Sequence, residues 1–369
     1  MRIAFYAPLK PPDHPVPSGD REIARLFLDA MRRAGHEPIV ASRLRSFDGA
    51  GDAVWQARIT TRAQQTAERL VRRGRERPDE RPALWFTYHL YYKAPDWLGP
   101  QISAALGIPY VVAEASHAMK RAAGPWAIGH RAVEQALRRV DAVIGLNSAD
   151  RDGVLPLLRD PGRWVALPPF LDASRYAVRE PRPADETPRL IAVAMMRSGD
   201  KLASYRVLGA ALKQLLDLRW TLDIVGDGPA RGAVEDALRP LGSRVSYRGA
   251  LDAKTIAAVL AEADLFVWPA INEAFGMALL EAQASGLPVI AGASGGIGDI
   301  VVPETTGMLV PPGDAAAFAA AARRLIVDKA AREPMSKAAR QKVANEHDLP
   351  IAAARLNSLI EGLGRKRAA

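Results

Sequence analysis

Two successive arrays of apolar strands and amphipathic helices, separated by a proline-rich charged stretch, predict an α/β chain. The expected architecture is two doubly wound parallel-sheet domains facing each other across a cleft. The 369 residues suit two domains at about 100–200 residues each. With 49% hydrophobic and 25% charged residues, disordered and collagen-like classes are excluded. The expected boundaries are 1–170 for the first domain, 171–189 for a linker, 190–345 for the second domain and 346–369 for a C-terminal helix.

The elements follow in order. Arg2–Ala7 is an apolar strand, and Pro8–Ser18, with five prolines, is an irregular loop. Ile23, Ala24, Phe27, Leu28 and Met31 recur at helical spacing between Arg21 and Ala34. Gly35-His36 stops that helix and Pro38–Ala41 begins the next strand, completing a βαβ unit. Arg62–Arg81 reads as a surface helix ending in a mobile loop. Strands follow at Leu84–Thr87, Tyr110–Ala113 and Ala142–Leu146. Arg179–Pro188 holds three prolines among charged residues and reads as the linker. The second array has strands at Leu190–Met195, Thr221–Val225, Val245–Arg248, Leu265–Trp268 and Pro288–Ala291. Its helices are Tyr205–Leu216, Ala230–Leu241, Thr255–Ala263 and Met277–Ser285. Ala315–Val327 and Ile351–Leu363 are amphipathic helices.

The absence of cysteine excludes disulfides, thiol nucleophiles and cysteine metal sites. The six histidines are scattered without ligand spacing, so no bound metal is expected. The start of the chain is apolar too briefly for a signal peptide, and no run is long enough to span a membrane. A soluble, cytoplasmic protein is the expectation. Of the net charge of +9, +7 falls in residues 1–167. Such a basic half seeks polyanions or phosphorylated partners, or is simply a solvated arginine-rich surface.

The segment carrying most chemistry runs from Trp268 to Ala282. A buried strand ends at Trp268, a loop presents Glu273, Gly276 permits close backbone approach, and a helix starts near Met277. Ligands of open α/β sheets bind at this edge, and free N–H groups at a helix start favour phosphate. On one continuous helix Glu273 and Glu281 would lie about 80° apart; a break at Gly276 lets both face the same site, where carboxylates suit sugar hydroxyls. Upstream, Arg197 and Lys201 lie four residues apart in a sheet-edge loop, a spacing that grips a diphosphate from two sides. Gly226-x-Gly228-x-x-x-Gly232 lacks the spacing of a dinucleotide fingerprint.

The string Glu-Ala-Phe-Gly-Met-Ala-Leu-Leu-Glu-Ala from Glu273, followed by Ala-Ser-Gly-Leu-Pro-Val-Ile, resembles the glutamate-x7-glutamate motif of family 4 retaining glycosyltransferases. These have the two-domain GT-B fold, with two Rossmann-like domains. The resemblance covers essentially the whole chain and is strongest from about 190 to 315. It implies that Glu273 approaches the transferred sugar and Glu281 the nucleotide ribose. Backbone amides of Phe275, Gly276, Met277, Ala278 and Leu279 then meet sugar and diphosphate. Arg197 and Lys201 resemble the family's cation pair, although the spacing is one residue short. Gly226 stands in the strand-loop at the nucleotide site, and Arg244–Gly249 in the strand framing the base. In the first half Gly19 matches a small-residue position and Asp20 departs from it, which directs Asp20 toward acceptor or solvent. His117 ends a strand where the family places a histidine beside the donor sugar; the other five histidines read as structural. The closing helix is expected to cross back to the first domain.

The resemblance implies a metal-independent enzyme without a tightly bound cofactor. It would move a hexosyl group with retention from a nucleotide-diphosphate sugar to a saccharide or lipid-linked acceptor. Polysaccharide or glycolipid assembly, with peripheral contact to an anionic membrane at the inner face, is the expected setting. The aromatic run Thr87–Trp97 and the basic, aromatic stretch from Lys120 to Trp126 suit an anionic or membrane-borne acceptor or the packing of a loop. A catalytically silent nucleotide-binding scaffold is the alternative. A nucleic-acid-binding protein has only the basic half in its favour, so no nucleic-acid partner is expected.

Overall fold

The computed structural model describes residues 1–16, 18–177, 187–273 and 275–368, with side chains to 365. Residues 178–186 of the expected linker, Pro17 and Ala274 lie outside the described residues. The chain divides into two compact units, one of residues 1–168 with 349–369 and the other of residues 169–348. Each is a doubly wound sheet of six strands with parallel pairing throughout.

The first unit runs β1 (Arg2–Tyr6), α1 (Gly19–Arg33), β2 (Glu37–Ser42), α2 (Ala53–Glu76), β3 (Leu84–Leu90) and α3 (Gly99–Leu106). It continues with β4 (Tyr110–Ala115), α4 (Ala127–Leu137), β5 (Ala142–Gly145), α5 (Arg151–Val154) and β6 (Trp164–Ala166). Strand order is β2-β1-β3-β4-β5-β6, so the winding reverses between β1 and β3. Helix α1 buries Ile23, Ala24, Phe27 and Met31, the stripe its spacing predicts, and Ser18 caps it through the Arg21 N–H. Helix α2 corrects the expectation for 62–81. It starts nine residues earlier because the Asp52 carboxylate accepts from Val54 N and Trp55 N at 2.9 and 3.1 Å. Nor is its end a free loop, since Glu80 in the turn after it accepts from both Arg73 and Arg77.

The second unit runs β7 (Arg189–Val193), α6 (Asp200–Lys213), β8 (Thr221–Val225), α7 (Arg231–Leu238), β9 (Val245–Gly249), α8 (Ala253–Glu262) and β10 (Leu265–Trp268). After these come α9 (Met277–Ala284), β11 (Val289–Gly292), α10 (Ile297–Ile300), β12 (Gly307–Val310), α11 (Ala315–Val327) and α12 (Lys329–Lys342). Strand order is β9-β8-β7-β10-β11-β12, reversing between β7 and β10. Asp252, Asp314 and Asp328 cap α8, α11 and α12. Residues 169–173 are held within this unit: the buried His347 donates to Pro169 O at 2.6 Å, and Leu171 N donates to His347 O. The last helix, α13 (Leu349–Ala368), belongs to the first unit and packs on α1. No helix among the described residues is long and apolar enough to cross a membrane.

Candidate functional site

Crevices at the carboxyl ends of strands flanking a winding reversal are where open α/β sheets take ligands. In the second unit those strands are β7 and β10. The loop after β7 carries Arg197 and leads into α6; the loop after β10 carries Glu273 and leads into α9. Three side-chain bonds join the two: Lys201 Nζ pairs with Glu273 Oε2, Asn272 Nδ2 donates to Asp200 Oδ2 at 2.9 Å, and Ile271 N donates to Ser204 Oγ at 3.0 Å. The sequence reading ties neither Asp200 nor Ser204 to this site, because their partners lie about 70 residues further along the chain.

Glu273 also accepts from Trp268 Nε1 at 3.3 Å, and Lys201 Nζ lies 5.5 Å from the centre of the same indole. Trp268 is itself packed edge-on against Tyr205 at 4.9 Å, which fixes the ring under both charges. Lys201 and Glu273 are about one quarter and one fifth exposed, so their mutual attraction is only partly screened. Arg197 is exposed and makes no ion pair among the described residues, which leaves its guanidinium available.

Helices α6 and α9 both begin at glycines in left-handed or related backbone, Gly199 at φ 77° and Gly276 at φ 65°, and no side chain caps either. Their N-termini therefore present backbone N–H groups and the positive end of the helix dipole. The left-handed backbone at Gly276 is what favours glycine there; a Cβ would meet the ends of the Ile297 and Leu279 side chains at 2.7 and 3.1 Å. Of the residues between the glutamates, Phe275, Met277 and Ala278 are half-buried and Leu279 is core, so Leu279 contributes backbone only. Glu281 lies on α9, half-buried. Gly226 and Gly228 bring the β8 loop against the β7 loop. Their positive φ values of 136° and 153° and their contact with Ala194 and Met196 leave no room for a side chain. Arg244 and Arg248 are engaged elsewhere, Arg244 on Leu216 and Leu218 carbonyls and Arg248 on Asp223.

In the first unit the reversal lies between β1 and β3, and a charged cluster forms there. His89 Nδ1 is 3.0 Å from Asp20 Oδ1 and 3.6 Å from Glu114 Oε1. His89 and Glu114 end β3 and β4 with φ of 64° and 56°, a region that non-glycine residues rarely adopt and that concentrates at functional sites. Burial disfavours the His89 cation, but Glu114 and Asp20 outweigh it and raise its pKa to about 9. Burial raises Glu114 to about 7 against the pull of His89. Asp20 is opposed by burial yet lowered by His89. Asp20 thus turns onto His89, a histidine that the sequence reading takes as structural. The signal available in the sequence was its place at a strand end, the same argument used for His117.

His117 sits apart from that cluster. Its side chain is 5% exposed, its Nε2 lies 3.2 Å from Glu134 Oε1, and its ring is 4.6 Å from that of His130. Among the described residues, His117, His130 and Glu134 are the group whose ligand-capable atoms gather within 4.8 Å, as a metal ion would need. Gly19 opens α1 with open space around it, so no steric demand for glycine exists there.

Comparison with known proteins adds the following. The mycobacterial glycogen synthase (Mycobacterium tuberculosis) is 29% identical over 273 residues, covering 69% of this chain and 64% of that protein. The match thus spans just under two thirds of that relative. A 2-deoxystreptamine glucosyltransferase from Streptomyces kanamyceticus is 28% identical over 279 residues, covering 69% of this chain and 71% of the relative. Among solved structures, sucrose-phosphate synthase from Thermosynechococcus elongatus superposes with a TM-score of 0.76 at 22% identity, covering 99% of this chain and 100% of that one. HepE from Anabaena, in complex with UDP, gives 0.73 at 17% identity over 98% and 100% of the two chains. The architecture is therefore the GT-B fold, and residues 187–328 match the family model of glycosyl transferases group 1.

Proposed function

We propose that the chain is a glycosyltransferase moving a hexosyl group from a nucleoside-diphosphate sugar to a hydroxyl acceptor, with retention and without a required metal. The observation that carries this reading is the Lys201–Glu273 pair between two uncapped helix starts at the β7/β10 reversal. A structure of HepE with UDP and glucose supports the donor class, and the relatives named above support the reaction class.

Arg197, Lys201 and the N-terminus of α9 face the diphosphate and stabilise its growing charge as the bond from the sugar C1 to the phosphate oxygen breaks. Glu273, released by Lys201 when phosphate arrives, accepts from sugar hydroxyls, and Glu281 accepts from the ribose. The acceptor oxygen attacks C1 from the side the phosphate leaves, and its proton passes to the departing phosphate oxygen, so no separate base is needed. The chain acts in the cytoplasm, at the inner membrane face when its acceptor is lipid-borne, in polysaccharide or glycolipid assembly.

The test is a thermal-shift panel of UDP, GDP, ADP and CMP with their sugar conjugates, in EDTA. At 100 times its dissociation constant a ligand stabilises by about 2.7 kcal/mol. One diphosphate should raise the melting point by several degrees, and Glu281→Ala should abolish the shift. A cooperative melt unmoved by every nucleotide would overturn the donor reading; a selective shift without hydrolysis or transfer of the bound sugar would favour the silent nucleotide-binding scaffold instead.

A further inference from the structure

The first unit carries an aromatic platform bearing two cations without an ion-pair partner among the described residues. The rings of Tyr92 and Trp126 meet edge to face at 5.7 Å. Lys93 Nζ lies 4.8 Å from the Trp126 centre and 5.9 Å from that of Tyr92. Arg121 Cζ lies 5.1 Å from Tyr92 and 5.6 Å from Trp126. Neither cation forms an ion pair among the described residues, and Arg121 Nε is shielded from solvent without a hydrogen-bond partner. Ring faces attract each cation singly, but they do not cancel the repulsion between two held over the same pair of rings. An arrangement with free donors and unopposed charge is organised for an anion.

The platform is built, not incidental. Trp126 Nε1 donates to Asp48 O at 2.9 Å, and Gln56 Nε2 donates to Pro125 O at 2.9 Å and to Asp48 Oδ2 at 2.7 Å. Asp48 Oδ1 meanwhile accepts from Ala50 N and Gly51 N, so this nearby carboxylate is occupied and does not serve the cations. Gly129 on α4 has no space for a Cβ, because the Tyr92 carbonyl packs directly on it. The four platform residues are half-buried, so none is sealed from solvent. From Tyr92 the rings continue through Tyr91 at 5.6 Å to His89 at a further 4.8 Å, and so reach the Asp20–His89–Glu114 cluster at the β1/β3 reversal.

We propose that this platform is the acceptor subsite, and that the acceptor is an acidic saccharide, one carrying a phosphate or carboxylate. The rings take the C–H face of the sugar, Lys93 and Arg121 take its anion, and the aromatic ladder leads its hydroxyls toward the cluster. A neutral sugar would leave both cations unanswered. This assignment rests on the glycosyltransferase reading and names its acceptor.

The test measures binding of glucose 6-phosphate, glucuronate and glucose to the full chain by calorimetry, alongside UDP, GDP and ADP. Vesicles of phosphatidylcholine with and without phosphatidylinositol form a second arm. The acidic sugars should bind at least tenfold more tightly than glucose, with affinity falling as salt rises. Lys93→Gln with Arg121→Gln should remove that preference while nucleotide binding stays within twofold, and Lys93→Arg with Arg121→Lys should keep it. Binding of the free acidic sugars supports a soluble acceptor. Preference confined to phosphatidylinositol vesicles and lost in the Gln variant supports a lipid-borne one. Equal binding of glucose and the acidic sugars together with no preference for phosphatidylinositol vesicles, or a preference that survives in the Gln variant, overturns the proposal. If nucleotides bind normally in that case, the donor reading stands; if no nucleotide binds the wild-type chain, the donor reading fails whatever the sugars do.

Discussion

Gly226 is the position at which one added carbon should do most damage to the donor side. Its φ of 136° lies in a region that is essentially glycine-only and costs other residues about 1–3 kcal/mol. A Cβ there would fall 2.8 Å from the carbonyl carbon of Ala194 and closer still to its oxygen. Because the obstacle is backbone, the β7 and β8 loops must part. That weakens Ala194 N→Val225 O (3.0 Å) and Gly226 N→Gly249 O (2.8 Å), each worth about 1 kcal/mol. Together these give about 3–5 kcal/mol for Gly226→Ala. At 2–4 °C per kcal/mol for a unit of this size, the melting point should fall by roughly 6–20 °C. The displaced strand end leads directly into Arg197 and Lys201, so nucleotide affinity should weaken at least tenfold. Calorimetric melting and nucleotide titration measure both, with Gly362→Ala on α13, which enters open space away from the donor residues, as a control that lowers neither. A Gly226→Ala protein melting within 2 °C of wild type and binding nucleotide unchanged would refute the argument.

Lys201→Met should lower turnover by about 10²–10³, the usual loss of one transition-state charge donor, with a melting point within a few degrees of wild type. Steady-state kinetics checks it, and unchanged turnover would remove Lys201 from the leaving-group site. The cluster at β3 and β4 predicts a pH trend. His89, raised to about 9, adds stability that is complete below its ordinary 6.5 and lost as pH rises through 9. Glu114, raised to about 7, adds stability complete below its ordinary 4.5 and lost as pH rises through 7. Melting points should therefore fall from pH 5 to 9.5, and Glu114→Gln should flatten the lower half of that slope; a flat wild-type profile would show that the cluster is not coupled to folding. Gly129→Ala should lower the melting point of the first unit by forcing α4 off the Tyr92 carbonyl. Near-wild-type melting and acidic-sugar binding in that variant would show that the contact relaxes at little cost.

The architecture was legible because its signals are local. Strand β10 and helix α11 stand where the periodicity put them, and Gly276 breaks the chain where its left-handed backbone is needed. Strand β12 (Gly307–Val310) escaped notice because it opens on a glycine and runs into Pro311-Pro312, which read as turn signals, and α12 because Pro334 interrupts it without ending it. What the chain order could not reveal were pairings across sequence distance. Lys201 with Glu273 was readable as two motif residues but not as an ion pair. Asp20 with His89 and Glu114 needed the start of α1 and the ends of β3 and β4 to be brought side by side, which happens at the reversal of winding between β1 and β3.

The division of the chain also sets an order of events during synthesis. Helix α13 leaves the ribosome after residues 169–348, yet it packs on α1, which is made before them. Residues 169–348 must be made in between, which at 5–20 residues per second takes on the order of ten to forty seconds. Through that interval the patch of α1 that α13 will cover waits unoccupied on the nascent chain. A premature stop before Leu349 would leave it so permanently. Truncated products of this gene are thus expected to be chaperone clients even when both sheets are complete.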